Sequence, residues 1–236
     1  TYYLICSLLI FIFLGICAIF IDKKREEEKL WTFLAKETAH QIATPLSSLM
    51  GWLLTLKDKI EKNYYEEMSL DIKKMEIAIE RFSRIGLPPK LTKTPIREVI
   101  ERVCQHFQRR MPLNIELVLN LKSNPLLLLD EVLFSWGLEN LLKNSIDAIG
   151  DNPGRIEIKE ILHNDYYEIQ IIDSGEGINK KIKNKIFKPG ITTKKYGWGI
   201  GLSLTKRIIE EYHKGKLVLK ESKKGRTVFS IILKKQ

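Results

Sequence analysis

"ENLLKNSIDAI", residues 139–149, is the stretch on which the fold of the C-terminal part of this chain turns. Asn140, Asn144 and Asp147 step by four and then three, so a helix carries all three on one face. That helix is predicted over 130–149, and the segments around it alternate between helical and extended periods. A helix over 96–110 precedes it, with short strands at 115–121 ("IELVLNL") and 126–130 ("LLLLD"). After it come strands at 154–162 ("GRIEIKEIL") and 166–175 ("YYEIQIIDSG"), then a helix over 202–213 ("LSLTKRIIEEYH"). A last hairpin turns at "SKKG", residues 222–225,. Helices on one face of such a sheet make an α+β sandwich. The proline-rich joint "LPPKLTKTP", residues 87–95, puts a domain boundary near residue 90,.

Two glycine-bearing stretches flank the polar helix face. In "DSGEGI", residues 173–178, Asp173 closes a strand and Gly175 and Gly177 follow, which lets backbone approach a flat ligand,. "YGWGIGLSLTKRI", residues 196–208, sets Gly197, Gly199 and Gly201 directly before a helix whose free amides and positive end suit phosphates,. Each alone is a loop, a hinge or a polar face. Together and in this order they point to a nucleotide site.

The N-terminal part reads differently. Residues 2–21, "YYLICSLLIFIFLGICAIFI", carry no charge over a length that spans a bilayer, and the basic flank "DKKR" at 22–25 marks the cytoplasmic side,. We expect a transmembrane helix over 1–21, with everything from Asp22 onward in the cytosol. The length of the run and the lack of a basic leader or small-residue cleavage site argue against a cleaved signal peptide. Cys6 and Cys17 fall in the span and Cys104 stands alone, so no disulfide or metal framework is indicated,. With 236 residues, 44% of them hydrophobic, the remainder can bury a real core,. The net charge of +10 is spread in short lysine pairs. It suits anionic headgroups or a polyphosphate ligand, and no nucleic-acid reading module is present.

Between span and boundary lie two heptad helices. Ala35, Ala39, Ile42, Leu46, Leu49, Leu53, Leu56 and Ile60 alternate steps of 4 and 3, as do Tyr65, Met68, Ile72, Met75, Ile79 and Phe82,. A hairpin of two such helices leaves its narrow seams uncovered, so a second copy completing a four-helix bundle is expected: a homodimer. His40 sits one position past Ala39, about 100° from the seam, and should face solvent. Thr44 is one turn on, and Pro45 removes an amide hydrogen, so a bend is expected there.

Taken together, the chain resembles a bacterial sensor histidine kinase of a two-component system. "HQIATPLSS" (40–48) is similar to the phosphoacceptor box, "NLLKNSIDAI" (140–149) to the N box and "DSGEGI" to the first glycine box. "IFKPGITTKK" (186–195) resembles the F box and lid, "YGWGIGLSL" (196–204) the second glycine box and "KGRTVFSI" (224–231) the last. The resemblance implies three parts: the span at 1–21, a dimerisation and histidine-phosphotransfer hairpin at 22–88, and an ATP-binding domain at 89–236. The last would have the fold shared with gyrase, Hsp90 and MutL. It implies ATP and Mg²⁺ as cofactors, His40 as phosphoacceptor, Asp173 on the adenine amino group and Asn144 on Mg²⁺, with Asn140, Lys143 and Asp147 close by. Gly175, Gly177, Ile178, Gly197, Gly199, Gly201, Leu202 and Thr227 would shape the pocket. Phe187 would come from the F box, and Thr192, Thr193 and Lys194 from the lid.

Two departures matter. Related ATPases carry a water-activating glutamate one turn before the magnesium asparagine; here that position is Asn140, which cannot take a proton, so free hydrolysis should be slow. The residue after the phosphoacceptor is usually acidic in the family; Gln41 can orient a ring nitrogen but is no base. Neutral imidazole still offers a lone pair near pH 7. Thr44, by the same resemblance, would position water for dephosphorylating a partner's aspartate. About eighteen residues separate the span from His40, too few for an intervening signalling domain. The chain stops just after its last predicted strand, so a separate response regulator is the expected partner, and the bacterial inner membrane the expected location.

Overall fold

The computed structural model describes residues 2–85, 87–194, 197 and 199–235; of helix residues 2–10, 17, 20, 21, 23–25, 27–32, 34–36 and 38 it describes the backbone alone. The chain divides into two compact units, Thr1–Pro88 and Pro89–Gln236.

The first unit is a helical hairpin of α1 (Tyr2–Leu56) and α2 (Lys62–Arg84). α1 stays helical through Pro45. It ends in a turn closed by the Lys59 and Ile60 amides, which both donate to the Leu56 carbonyl, at 2.8 and 3.2 Å. The heptad seam splits in two. Ala39, Leu46 and Leu53, each 5% exposed, lie a full heptad apart, and Leu46 and Leu53 pack on Ile72 with Ile60, Tyr65 and Ile79 around them. The alternate positions Ile42, Leu49, Met68 and Met75 remain exposed. One stripe of each helix thus closes the hairpin and the other is left open. Ala35 lies outside the described side chains, as does most of the anticipated span at 2–21. Among the described residues no helix is long and apolar enough to cross a membrane; Phe11, Ile12, Phe13, Leu14, Ile16 and Ile19 are all exposed.

The second unit is an α+β sandwich. Its strands are β1 (Thr92–Pro95), β2 (Ile115–Asn120), β3 (Leu126–Leu129), β4 (Gly154–Leu162), β5 (Tyr166–Asp173), β6 (Lys216–Lys223) and β7 (Arg226–Lys234). Five of them form one sheet in the order β2-β4-β5-β7-β6, with β2 and β4 parallel and every other pair antiparallel. β3 does not join this sheet; it pairs antiparallel with β1, a strand the sequence pattern does not announce. The helices are α3 (Ile96–Gln108), α4 (Glu131–Ile149) and α5 (Gly201–Arg207). The helix predicted over 202–213 breaks its register at Ile208–Tyr212, a widened π-helical segment.

α4 is the central helix, packed on α3, α5 and strands β4 and β5. Its apolar face explains that position: Leu133, Phe134, Leu138, Leu141 and Leu142 are buried against Ile156, Ile158, Ile169 and Ile171 of the sheet. Side chains of this size contribute roughly 1.5–3 kcal/mol each on full burial. Asp130 caps the helix, its Oδ1 accepting from the Leu133 amide at 3.2 Å, which is worth ~1 kcal/mol,. With the apolar side fixed inward, the Asn140–Asn144–Asp147 face turns to the opening beyond it.

Candidate nucleotide site

That opening is a cleft of about 1500 Å³, walled by α4, the loop after β5, the segment leading into α5 and the β6–β7 turn. Asp173 lies deep in it. Its Oδ1 accepts the Gly175 amide at 2.9 Å and its Oδ2 the Ser145 hydroxyl at 3.3 Å. Burial pushes its carboxyl above the usual range, partly offset by the Gly175 amide and by the Ser145 and Thr227 hydroxyls,. Each oxygen keeps a lone pair that can accept from an amino group of a flat ligand. Thr227 faces Asp173 across the β5–β7 ladder, and its buried hydroxyl, near enough to help hold the carboxyl down, meets no partner in full hydrogen-bonding geometry among the described residues.

At the other end, α4 presents Asn140, Lys143, Asn144 and Asp147 to the cleft. Lys194 reaches them across about fifty residues of chain: its Nζ donates to Asn144 Oδ1 at 3.0 Å and to Asp147 Oδ2 at 2.5 Å. A cation therefore already sits on the Asn144 oxygen, so this oxygen and the Asp147 carboxylate can meet a metal ion as well. Asn140 Nδ2 is buried without a hydrogen-bond partner among the described residues. It is a donor facing a site where phosphate oxygens would supply the acceptor.

The glycines have distinct tasks. Gly199 has φ of +66°, and a Cβ there would lie 2.5 Å from the Gly190 carbonyl carbon, because the Gly190 amide bonds back to the Gly199 carbonyl at 3.1 Å. Gly177, at φ +81°, presses on the Lys223 carbonyl in the same way. Gly197, Gly201, Ile178 and Leu202 line the cleft, as do Thr192 and Thr193; the Thr192 hydroxyl accepts the Lys194 amide at 3.0 Å and so turns the lid segment.

Two predicted residues stand behind the wall. Gly175 seats its loop on the end of α4, where a Cβ would strike Ala148 at 2.7 Å. Phe187 packs edge-on against Phe229, ring centres 6.3 Å apart, with Lys206 Nζ 5.1 Å from its ring centre. It braces the wall through Phe229, which does line the cleft. Sequence reasoning missed Ser145, which holds Asp173, and Ser222, whose hydroxyl accepts the Ile178 amide at 2.8 Å. Ser145 was accessible to it, being on the adjoining position of the helix face; Ser222 carries no local signal.

The first unit holds the remaining candidates. His40 is exposed beside buried Ala39, as the heptad register requires. The Thr44 hydroxyl meets the His40 carbonyl at 3.5 Å. Gln41 is turned one helical turn back, its Nε2 donating to Glu37 Oε1 at 2.5 Å. The orienting contact expected from Gln41 to the His40 ring is therefore replaced by one to Glu37.

Residues 130–236 match the family described as histidine kinase-, DNA gyrase B- and HSP90-like ATPases. The solved catalytic domain of the histidine kinase ThkA superposes with a TM-score of 0.55 and 31% identity, covering 62% of this chain and 98% of that domain. The chain belongs to the histidine kinase family. Other members of that family align further into the first unit. Sporulation kinase C of Bacillus subtilis is 29% identical over 219 residues, 89% of this chain. An NtrY-like sensor histidine kinase of Rickettsia felis is 28% identical over 198 residues, 77% of this chain. The chain spans 50% of the Bacillus kinase and 32% of the Rickettsia one. ThkA has also been solved in complex with the response regulator TrrA; that structure is 25% identical, covers 90% of this chain and 64% of its own, and has a TM-score of 0.58.

Proposed function

We propose that this chain is the signalling and catalytic part of a membrane-anchored sensor histidine kinase that uses Mg²⁺-ATP to phosphorylate His40 and passes the phosphoryl group to an aspartate of a separate response regulator. The observation that carries the reading is the pairing, in one chain, of a solvent-exposed His40 with a cleft built for a nucleotide. A lone-pair nitrogen of neutral His40 attacks the γ-phosphorus, the bond from it to the β–γ bridging oxygen breaks, and ADP leaves with the electron pair. The proton on the other ring nitrogen passes to solvent or a nearby carboxylate. Asp173 and Thr227 hold the base, Asn140 and Lys143 the phosphates. Mg²⁺ at Asn144 neutralises phosphate charge when bound. Lys194 would then exchange Asn144 for a phosphate oxygen.

The open stripe of Ile42, Leu49, Met68 and Met75 supports a homodimer, since a second hairpin covers it by the same heptad pairing,. The uncharged run at 2–21 with its basic flank supports an inner-membrane anchor and a cytosolic catalytic part,. Thr44 supports phosphatase activity towards the regulator: Thr44→Ala should leave His40 phosphorylation intact and slow loss of the aspartyl phosphate.

The deciding experiment incubates the full chain in lipid nanodiscs with γ-labelled ATP and Mg²⁺ beside His40→Gln. Acid-labile, alkali-stable label on the parent alone is the expected result. Nucleotide binding with no label on either protein would instead make the chain a nucleotide sensor that does no chemistry.

A further inference from the structure

His213 stands outside the cleft, and its surroundings specify it closely. It is buried, and both ring nitrogens are used. Nε2 accepts the Asp130 backbone amide at 3.0 Å, and Nδ1 lies 2.8 Å from the Ile208 carbonyl. A carbonyl only accepts and an amide only donates, so the ring is neutral with its proton on Nδ1. The ring also stands edge-on to Phe134 of α4, centres 6.0 Å apart. The Asp130–His213 hydrogen bond alone joins residues 83 positions apart in sequence.

The two ends it joins belong to the two helices that frame the cleft. Asp130 begins α4, which carries Asn140, Asn144 and Asp147. Ile208 opens the π-helical segment that continues α5, whose first residue, Gly201, lines the cleft. Nearer the cleft the same two helices touch through the Thr205 hydroxyl, 3.5 Å from the Gly137 carbonyl. The π-helical widening has a purpose here: the His213 amide bonds Ile208 O, five residues back, at 3.2 Å, which brings the ring under Asp130,. Immediately beyond, Lys214 is at φ 54° and a Cβ on Gly215 would lie 2.5 Å from the Ile232 carbonyl oxygen of β7, so the backbone that follows the ring is closely fitted to the sheet.

We propose that His213 is a positioning residue for the nucleotide cleft: its neutral ring ties the start of α4 to the end of the α5 segment and thereby sets the affinity for Mg²⁺-ATP in a pH-dependent way. The proposal rests on the reading of the cleft as an ATP site. Protonation would put a second N–H on the ring, pointing at the Asp130 N–H, and two donors would then face each other in a buried space. The charged group that acts on it is the Asp130 carboxylate on the α4 side, engaged with the Lys90 and Leu133 amides; on its own segment Arg207 is paired with Glu211 at 3.1 Å. Burial lowers the proton affinity of His213, against the pull of Ile208 O and Asp130, so the tie holds at neutral pH and fails on the acid side.

Two isosteres separate the contacts. In His213→Gln the amide oxygen reaches the place of Nε2 and keeps the Asp130 amide satisfied with nothing to titrate. In His213→Asn the amide nitrogen takes the place of Nδ1 and the Asp130 amide is left unpaired. The dissociation constant of Mg²⁺-ATP is measured for the full chain in nanodiscs from pH 7.5 down to pH 5, with thermal unfolding alongside. The parent should weaken by about tenfold on the acid side beyond any change shared with His213→Gln, the latter staying within about threefold of the parent at pH 7.5. His213→Asn should bind about tenfold more weakly throughout. If parent and His213→Gln follow one pH profile, or if both variants lower the melting temperature while affinity stays put, the residue is only structural and the proposal is overturned. If the parent binds no ATP at any pH, the cleft reading fails, and the proposal falls with it.

Discussion

Asp173→Asn probes the floor of the cleft. The aspartate accepts from Gly175 N–H at 2.9 Å and from the Ser145 hydroxyl at 3.3 Å, and keeps acceptor capacity for an adenine amino group. Asparagine has one acceptor oxygen. It must stay with the Gly175 amide, because the alternative sets two N–H donors face to face. The side-chain NH₂ then opposes the adenine NH₂. The variant loses a charge-assisted hydrogen bond and gains an unpaired donor, together about 3 kcal/mol, or roughly a hundredfold in Kd. Folding should respond in the opposite direction. Burial raises the Asp173 carboxyl in the folded state, so its ionisation opposes folding, and the free protein loses stability as pH rises through that raised value,. Removing the charge therefore leaves the melting temperature at neutral pH unchanged or higher. Calorimetric titration with Mg²⁺-ATP and Mg²⁺-GTP, paired with thermal unfolding, reads both effects. GTP binding should gain relative to ATP, since an amide donor suits the 6-oxo group. An ATP affinity within threefold of the parent, in a variant that folds normally, would refute the assignment of Asp173 to the base.

The rest of the site and scaffold can be tested separately. Leu53→Ala should destabilise the hairpin by ~2–4 kcal/mol because it empties the stripe packed on Ile72, whereas Leu49→Lys should shift sedimentation toward monomer with the hairpin intact,. Gly199→Ala places a methyl group against the Gly190 backbone at a positive φ, and should weaken nucleotide binding by more than about tenfold without unfolding the sheet, as followed by calorimetry and circular dichroism,. Glu37→Gln should slow His40 labelling, because Gln41 is committed to Glu37 and leaves it as the carboxylate one turn from His40; adding Gln41→Glu should restore the rate, and labelling unchanged in both would deny any role to these carboxylates,. Burial works to raise Glu160, but the Tyr167 hydroxyl, the Lys122 and Ser123 amides and the Ser123 hydroxyl together hold it below the usual range. Its contribution is present above the ordinary glutamate value and lost as pH falls through the depressed one, and Tyr167→Phe should shrink that acid-side loss in a pH series of denaturant unfolding.

What could be read in advance follows from the range over which each signal acts. The α4 face was legible because a spacing of four and three means the same thing in any helix, and the buried leucines beside it leave that face only one way to point,. The exposure of His40 was legible for the same reason. Heptad spacing located the seam but not its division, since 3.5-residue periodicity cannot say which alternate position meets the hairpin mate; contacts between Leu46, Leu53 and Ile72 decide that,. β1 was hidden because "TKTP" has no apolar alternation and is held as a strand by Leu126–Leu129, over thirty residues away. At Gln41 sequence adjacency is a weak guide: neighbours on a helix diverge by about 100°, so the residue four positions back competes better for its amide than the next ring does,. The same logic governs Lys194, invisible as a partner of Asn144 and Asp147 because nothing local ties residues some fifty positions apart. Yet this contact bears most directly on chemistry. The Lys194 ammonium supplies the Asp147 carboxylate with an opposite charge and the Asn144 oxygen with a donor. If the proposed function holds, a bound triphosphate would offer the ammonium phosphate oxygens in place of Asn144, and one side chain would couple the Lys194 segment to occupancy of the cleft.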